Sequence, residues 1–279
     1  MTPEQRYFFD LSGYLHVEKV LSAEELEKAQ EAADRYISSS PEDLPPGFSI
    51  NYADGPQHLD GHSHGFAFDK ALEVLTMHPV TWPIIKELTG NKPRFTSGTL
   101  AVNTARHRFH PLHSLKEDVE QSGPEMPRYF TQDGRVYSDN FVVFFYLTDV
   151  FPGDGGLILI PGSHKSQFVR PPDFFYEDTY DNEGYFSEKV PPGVANVVAR
   201  AGDVVFMSEM VSHGVLNWKP KDRDRRFLTA RYAPQFIASN GTFPEEILQR
   251  LSPETRELVA VTGYAHTKEI AKCDHVELT

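Results

Sequence analysis

The sequence is poor in cysteine and lacks long apolar runs. Cys273 is the only cysteine among 279 residues, which excludes an internal disulfide and a zinc site of the CxxC type. Histidine and carboxylate side chains are then the protein ligands left for a metal. No apolar run approaches the roughly 18 residues of a membrane helix, and residues 1–20 lack the basic, apolar and small-residue segments of a signal peptide. We therefore expect a soluble, cytoplasmic protein with no membrane partner.

Basic residues are outnumbered by acidic ones. The chain has 27 Lys and Arg against 40 Asp and Glu, and its formal net charge is -13 at pH 7. Nucleic-acid binding draws its affinity from Lys and Arg side chains that displace counterions from phosphates, so we expect no nucleic-acid partner. A single arginine inside a pocket can still bind an anionic small molecule, because it acts locally. The HExxH zinc-protease motif and the GxxxxGK[ST] phosphate loop are also absent.

The first part of the chain carries helix signals. The segments Thr2–Gln5 and Ser22–Glu25 each place a hydroxyl three residues before a Gln or Glu, which is the capping-box pattern at a helix start. The first predicts a helix that ends at Gly13, and the second a longer helix with apolar residues on one face. Shorter helices are expected at 70–77 and 81–88.

From Arg94 onward the apolar pattern changes to short runs separated by Gly, Pro and Asp. The runs are RFTSGTLAVNT, NFVVFFYLTDV, GLILIP, VANVVARAG, DVVFMSEM and RRFLTARYAP. Their β-branched and aromatic residues predict strands. Because no helix-length segments alternate with them, they favour an antiparallel sandwich or barrel over a parallel α/β sheet.

These patterns predict one domain that spans 1–279. It would have a largely helical flank at 1–93, a β core at 94–235 and a helical C-terminal segment at 236–279. Two long segments, 105–138 and 165–192, interrupt the strand rhythm. Loops of that length inside a compact domain are usually functional, and the aromatic residues of the second one predict a segment that packs, with a pocket as one candidate for what it covers.

Candidate functional residues lie late in the chain. His213 is expected where one strand ends, so that a neutral imidazole could point into a barrel mouth and bind a metal such as iron. Arg225 would start the next strand, and its planar guanidinium can clamp a carboxylate with two parallel hydrogen bonds. Thr229 lies four residues farther on the same face of that strand and could add a hydroxyl. Asn217 would hold the intervening loop or touch a ligand.

Three segments resemble the phytanoyl-CoA dioxygenase family, and they occur in that family's order. They are FFDLSGYLHVEKVLSAEELEKAQ, LTDVFPGDGGLILIPGSHKS and a closing His-Gly…Asn…Arg-x-x-Leu-Thr pattern. The resemblance implies a mainly β fold with flanking helices, namely a double-stranded β-helix or cupin-like jelly roll. It also implies Fe(II) as cofactor, 2-oxoglutarate as cosubstrate and a small-molecule substrate. By this resemblance His213 would bind iron, Arg225 would hold the distal carboxylate of 2-oxoglutarate, and Thr229 would assist it.

The chain departs from the family at the first metal ligands, which lie in an early His-x-Asp motif. In the segment ARHRFHPLHSLKEDVE, the candidates are His107, His110 and His113. We favour His113, because it precedes a charged loop as the family's ligand precedes a variable segment. Ser114 and Leu115 follow it, so that a leucine stands where the family has the aspartate.

Three interpretations of Leu115 remain open. Glu117 or Asp118 could supply the carboxylate of a two-histidine, one-carboxylate iron site. The carboxylate position could instead be open, as in related iron halogenases that bind chloride there, although a leucine side chain would fill much of that space. The chain could also be a metal-free relative that acts as a small-molecule binding module. The first interpretation predicts an Fe(II)- and 2-oxoglutarate-dependent oxygenase that hydroxylates a small organic molecule.

The other histidines are expected to have structural roles. His164 follows a strand into a turn, where we expect it to make a stabilising hydrogen bond. The remaining structural candidates are His58, His62, His64, His78, His266 and His275.

Overall fold

The structure is a computed structural model that describes most of the chain. The described residues are 1–52, 59–107, 109–116, 128–166, 168, 170, 192–237 and 243–270. Glu117 and Asp118 lie outside these ranges, as do His58, His275 and residues 171–191 of the second long interruption.

Helices lie at both ends of the described chain. They are α1 (Pro3–Ser12), α2 (Ala23–Ser38), α3 (Gly65–Phe68), α4 (Lys70–Glu73), α5 (Trp82–Leu88), α6 (Glu245–Leu248) and α7 (Pro253–Val259). Both predicted capping boxes are present at the starts of α1 and α2. Helix α1 ends at Gly13, whose φ of 80° is in the left-handed region that glycine tolerates. No helix among the described residues is both long and apolar enough to cross a membrane.

Thirteen strands run through the described residues. They are β1 (Tyr14–Val17), β2 (Ile50–Asn51), β3 (Asp60–His62), β4 (Pro93–Asn103), β5 (His110–His113), β6 (Tyr129–Gln132), β7 (Arg135–Ser138), β8 (Phe141–Tyr146), β9 (Gly156–Leu159), β10 (Ala195–Asn196), β11 (Val204–Ser208), β12 (His213–Leu216) and β13 (Arg225–Pro234). The major sheet has the order β1-β11-β8-β13-β4-β3-β2, the minor sheet has the order β10-β9-β12-β5, and β6 and β7 form a hairpin. All named pairs are antiparallel. Two antiparallel sheets with flanking helices form the cupin-like jelly roll that was expected.

The described part of the interruption at 105–138 is more regular than its sequence indicates. It contains β5 and the β6–β7 hairpin, and β5 is an edge strand of the minor sheet. The sequence of β5 is HPLH, which has no run of β-branched residues. Its extended conformation comes from pairing with β12, which is a tertiary effect that a local pattern does not contain.

The two faces of the major sheet bury different clusters. Along β13, Leu228 and Ala230 face the apolar cluster beneath the helices, whereas Phe227 belongs to the cluster between the two sheets. Side chains alternate along a strand, so Arg225 and Thr229 share the inner face with Phe227. The space between the sheets therefore contains both apolar packing and the predicted polar residues.

Candidate functional site

His113 and His213 lie opposite each other between the two sheets. They are register partners on the antiparallel strands β5 and β12, and their ring centroids are 4.2 Å apart. The ring of His110 lies 4.4 Å from that of His113. His213 also pairs with Leu159, whose side chain belongs to the cluster between the sheets. Strand pairing thus brings together two imidazoles that are far apart in the sequence.

The local structure around His213 differs from the expectation in one respect. His213 begins β12 instead of ending the preceding strand, because residues 209–212 form a turn after β11. Gly214 follows, and a Cβ atom at this position would lie 2.6 Å from the carbonyl oxygen of His110. A glycine is required here because the backbone of β5 approaches so closely.

Hydrogen bonds orient the imidazole rings. Nδ1 of His213 lies 2.8 Å from the carbonyl oxygen of Val211, and Nδ1 of His113 lies 3.0 Å from that of Pro111. Since a carbonyl oxygen only accepts, each Nδ1–H donates, and in a neutral ring Nε2 then carries the lone pair. Histidines that bind metals commonly have this arrangement.

The protonation of His213 suits a metal ligand. Burial lowers the pKa of His213 to about 4, although the nearby carboxylate of Glu209 acts in the opposite direction. The ring is therefore neutral at pH 7, and its Nε2 is free to donate a lone pair.

Glu209 is a site residue that the sequence reasoning missed. Its Oε2 lies 3.6 Å from Nε2 of His213, and its Oε1 accepts a hydrogen bond of 2.9 Å from Nε of Arg231. The residue is only 7% exposed. Burial acts to raise the pKa of Glu209, but the charge and the hydrogen bond of Arg231 act in the opposite direction, and the pKa lies below the ordinary value, so the carboxylate is ionised at neutral pH.

The imidazoles of His113 and His213 and the carboxylate of Glu209 lie near one another, but they do not form a complete metal site. Among the described residues, no group of three or more His, Cys, Asp or Glu side chains is placed so that it could hold a metal ion. What the structure contains is a pair of imidazoles with one ionised carboxylate beside them. Nitrogen and oxygen donors of this kind suit divalent iron.

Arg225 starts β13, as predicted, and is buried between the sheets. The residue is 1% exposed, and it donates hydrogen bonds to Oδ1 of Asn103 and to the hydroxyl of Tyr146. Its guanidinium carbon lies 4.2 Å from the ring centroid of Phe227. Among the described residues, its Nε has no hydrogen-bond partner and no carboxylate pairs with its guanidinium. A buried cation without a counter-ion is costly, so this position suits an anionic ligand.

Asn217 and Thr229 differ in how far their hydrogen bonds are satisfied. Asn217 is 6% exposed, and neither polar atom of its amide has a partner within the described part of the chain. Buried amides are nearly always paired, so this side chain is available for water or a ligand. Thr229 faces inward as predicted, but its hydroxyl donates to the carbonyl oxygen of Thr99 and accepts from the Thr99 N–H.

The other histidines make contacts of their own. Nδ1 of His107 accepts a hydrogen bond from the N–H of Thr104. Nε2 of His164 lies 3.2 Å from the carbonyl oxygen of Asp10, so its hydrogen bond ties this turn to α1 and is not made within the turn. The ring of His62 packs edge-on against Tyr36. These contacts are structural.

Comparisons with known proteins agree with this architecture. A family model described as Phytanoyl-CoA dioxygenase (PhyH) matches residues 9–217. The chain is 27% identical over 149 residues to the protein named Dioxygenase cdmD from Talaromyces verruculosus, a match that covers 48% of this chain and 44% of that protein. The chain therefore matches less than half the length of this curated relative.

Solved structures share the fold. HygX from Streptomyces hygroscopicus, solved with nickel and 2-oxoglutarate bound, superposes with a TM-score of 0.66 at 21% identity and covers 85% of this chain and 89% of its own. SnoN, described as a non-haem α-ketoglutarate-dependent epimerase from nogalamycin biosynthesis, gives a TM-score of 0.60 at 18% identity, with 88% and 87% covered. At such identities the likeness is one of fold.

Proposed function

Because the chain belongs to the phytanoyl-CoA dioxygenase family, we propose that it is an Fe(II)- and 2-oxoglutarate-dependent oxygenase that hydroxylates a small organic molecule. The observation that carries this proposal is the pairing of His113 with His213 across β5 and β12. In the family, a late histidine and an early one share the iron, and we assign these roles to His213 and His113.

The donor atoms fit the metal. In both rings Nδ1–H donates a hydrogen bond to a backbone carbonyl oxygen, so that Nε2 is the nitrogen left for a metal. Two imidazoles and one carboxylate are the protein donor set of non-haem Fe(II) oxygenases. Similar structures have been solved with iron or nickel bound, and HygX is one of them.

The surroundings of Arg225 fit 2-oxoglutarate. Its charge is buried without a carboxylate partner among the described residues, and a dicarboxylate would supply one. Asn103 and Tyr146 hold the guanidinium in place. The free amide of Asn217 follows β12, and we infer that it contacts the same ligand or its substrate. The hydroxyl of Thr229 is hydrogen-bonded to the backbone of Thr99 on β4. We propose that it holds in place the strand that carries Arg225.

Iron and 2-oxoglutarate together would supply the oxidising chemistry, in which dioxygen and 2-oxoglutarate yield succinate and carbon dioxide while one oxygen atom is inserted into a substrate C–H bond. The protein's residues bind and orient the reactants and keep water away. Phe227, Leu157 and Leu159 belong to the apolar cluster around the polar groups. A dry surrounding of this kind limits unproductive reactions.

The substrate class is a small organic molecule. HygX has been solved with hygromycin B bound, and SnoN with nogalamycin RO. SnoN and SnoK are named as an epimerase and a carbocyclase, so proteins of this fold differ in the outcome of their reactions. Hydroxylation is the outcome that we propose for this chain.

The test is a titration of metal-free protein with Fe(II) under anaerobic conditions, with and without 2-oxoglutarate. We expect a metal-to-ligand charge-transfer band that requires both, and succinate release once air is admitted. Arg225→Gln should weaken 2-oxoglutarate binding at least about a hundredfold, because it removes a buried charge-assisted contact.

The matched control is Arg226→Gln. Arg226 is the next residue on β13, but its side chain pairs with Asp34 and Asp224. It should leave 2-oxoglutarate binding unchanged. If the wild type shows no band at saturating iron, the oxygenase proposal fails and a metal-free binding module is favoured instead.

A further inference from the structure

The geometry points to Glu209 as the carboxylate ligand that completes the metal site, in the role that the family gives to the aspartate at position 115. This assignment rests on the proposed function, because it concerns the same metal. It differs from the family's pattern, because the ligand comes from the turn between β11 and β12 and not from the strand that carries His113.

Distance is the first support. Oε2 of Glu209 lies 3.6 Å from Nε2 of His213. Two ligand atoms that bind one divalent ion at about 2.1 Å lie roughly 3 to 3.5 Å apart. The observed separation is slightly larger than this range and too long for a hydrogen bond. As the side chains are placed, no group of three such residues in the described ranges could hold a metal ion, so the assignment requires the glutamate side chain to move when the ion binds.

Arg231 gives the second support, because it binds only one of the two carboxylate oxygens of Glu209. Its Nε donates to Oε1 at 2.9 Å, which directs Oε2 toward His213. Carboxylates that bind metals are themselves held by such hydrogen bonds. Arg231 is 39% exposed at its side chain, so its charge is partly solvated and neutralises Glu209 only in part. A divalent ion would compensate the buried carboxylate further.

The third support comes from the backbone around Leu115. The N–H of Leu115 donates to the carbonyl oxygen of Glu209 at 3.0 Å. The residue that replaces the family's aspartate therefore lies directly beside the residue that carries a carboxylate. Because residue 115 is a leucine, the family's carboxylate is missing at this position. Glu209, whose backbone is hydrogen-bonded to that of Leu115, supplies a carboxylate nearby.

The assignment has a chemical consequence. In the halogenases a halide takes the position that a missing carboxylate leaves open. If Glu209 fills this position, the metal needs no halide. Metal binding and succinate release should then be independent of chloride.

The test measures Fe(II) affinity of the full chain by anaerobic calorimetry, with Co(II) absorption spectra as a second readout of the ligand set. Glu209→Gln keeps the size of the side chain and removes its charge. We expect it to weaken metal binding at least about a hundredfold, because a direct ligand is worth more than the outer contacts that typically cost 10- to 100-fold. Arg231→Gln, which only releases Oε1, should cost about tenfold, and Arg231→Lys should recover part of it.

The matched control is Glu87→Gln, another buried glutamate that accepts a hydrogen bond from Nε of an arginine, Arg6. It should leave the metal affinity unchanged. If Glu209→Gln does not fold, Glu209→Asp takes its place. That variant keeps the charge but withdraws the oxygen by one methylene, and it should also bind metal more weakly.

Each outcome has one meaning. Loss of affinity in the Glu209 variants alone, with an altered Co(II) spectrum, supports the assignment. Affinity within about threefold of wild type, or tighter binding because the carboxylate competes with the metal, overturns it. In either of those cases a wild type that binds Fe(II) through His113 and His213 leaves the proposed function standing. A wild type that binds no Fe(II) overturns both.

Discussion

Two buried glutamates show how the helical layer and the space between the sheets differ. Glu87, on α5, has both oxygens hydrogen-bonded to Arg6 of α1, at 2.6 and 3.0 Å. Glu209 has one oxygen on Arg231 and the other 3.6 Å from a histidine nitrogen. The first carboxylate is saturated and joins two helices. The second is only partly used and points toward imidazoles, which is typical of a site that receives a ligand.

Histidines in the same two regions repeat this contrast. His164 lies against α1, where its Nε2 contacts the carbonyl oxygen of Asp10 and its ring packs on Tyr129. His213 uses Nδ1 on Val211 and keeps Nε2 for the space between the sheets. Burial lowers the pKa of both rings to about 4. The difference between them is in what the second nitrogen faces: Nδ1 of His164 lies beside Gly13 without a hydrogen-bond partner among the described residues, whereas Nε2 of His213 lies 3.6 Å from Oε2 of Glu209.

The largest expected effect is on Fe(II) affinity, and it separates His213 from His164. His213→Ala should reduce Fe(II) affinity by more than about a thousandfold, because it removes a direct ligand, whereas His164→Gln should leave the affinity unchanged. Isothermal titration of metal-free protein measures both. In the wild type, metal at about 100 times its Kd should add about 2.7 kcal/mol to the free energy of unfolding. A His164 variant that loses metal as strongly as the His213 variant would contradict the distinction.

A second, smaller effect should be shared by both histidines. The folded-state pKa of each ring is lowered from 6.5 to about 4, so the unfolded chain binds more protons than the folded chain between these values. The free energy of unfolding of the metal-free protein should therefore fall as the pH is lowered from 6.5 to 4, by about 3 kcal/mol for each ring. Above this window neither ring contributes a slope.

Denaturant unfolding at several pH values in the presence of a chelator measures this dependence. Either His213→Gln or His164→Gln should reduce the slope between pH 4 and 6.5 by a similar amount. Burial also lowers the pKa of His62, His64 and His110, so part of the slope should remain in both variants. A slope that is the same in the variants as in the wild type would contradict the pKa assignments.

The parts of the fold that followed from the sequence are those with a local cause. Capping boxes started α1 and α2 where they were expected, and alternating apolar runs marked the long strands such as β13. Arg225 was found because it belongs to the family's closing motif and begins a strand with a strong pattern. His113 was a choice among three histidines by position, and the structure places it opposite His213.

The parts that did not follow from the sequence depend on tertiary pairing. Strand β5 has a sequence without strand character and is extended because it pairs with β12. Glu209 belongs to the run DVVFMSEM, which predicted a strand. The structure instead places it in the turn after β11, where its carboxylate lies 3.6 Å from Nε2 of His213. The carboxylates expected from the sequence, Glu117 and Asp118, follow His113 in the chain, whereas Glu209 lies in the connection between β11 and β12.

The smallest expected effect concerns Leu115, and it tests whether the two carboxylate positions are interchangeable. Leu115→Asp restores the family's His-x-Asp motif in a chain that, by our assignment, already has its carboxylate. In the wild-type background it should change Fe(II) affinity by less than about threefold, because one carboxylate at the metal is sufficient. In the Glu209→Gln background the same substitution should recover most of the lost affinity, since the backbone of Leu115 is hydrogen-bonded to that of Glu209. Calorimetry on the four proteins measures the coupling between the two positions. Equal effects of Leu115→Asp in both backgrounds would mean that the positions act independently, and Glu209 would then belong with Glu87 as a structural carboxylate.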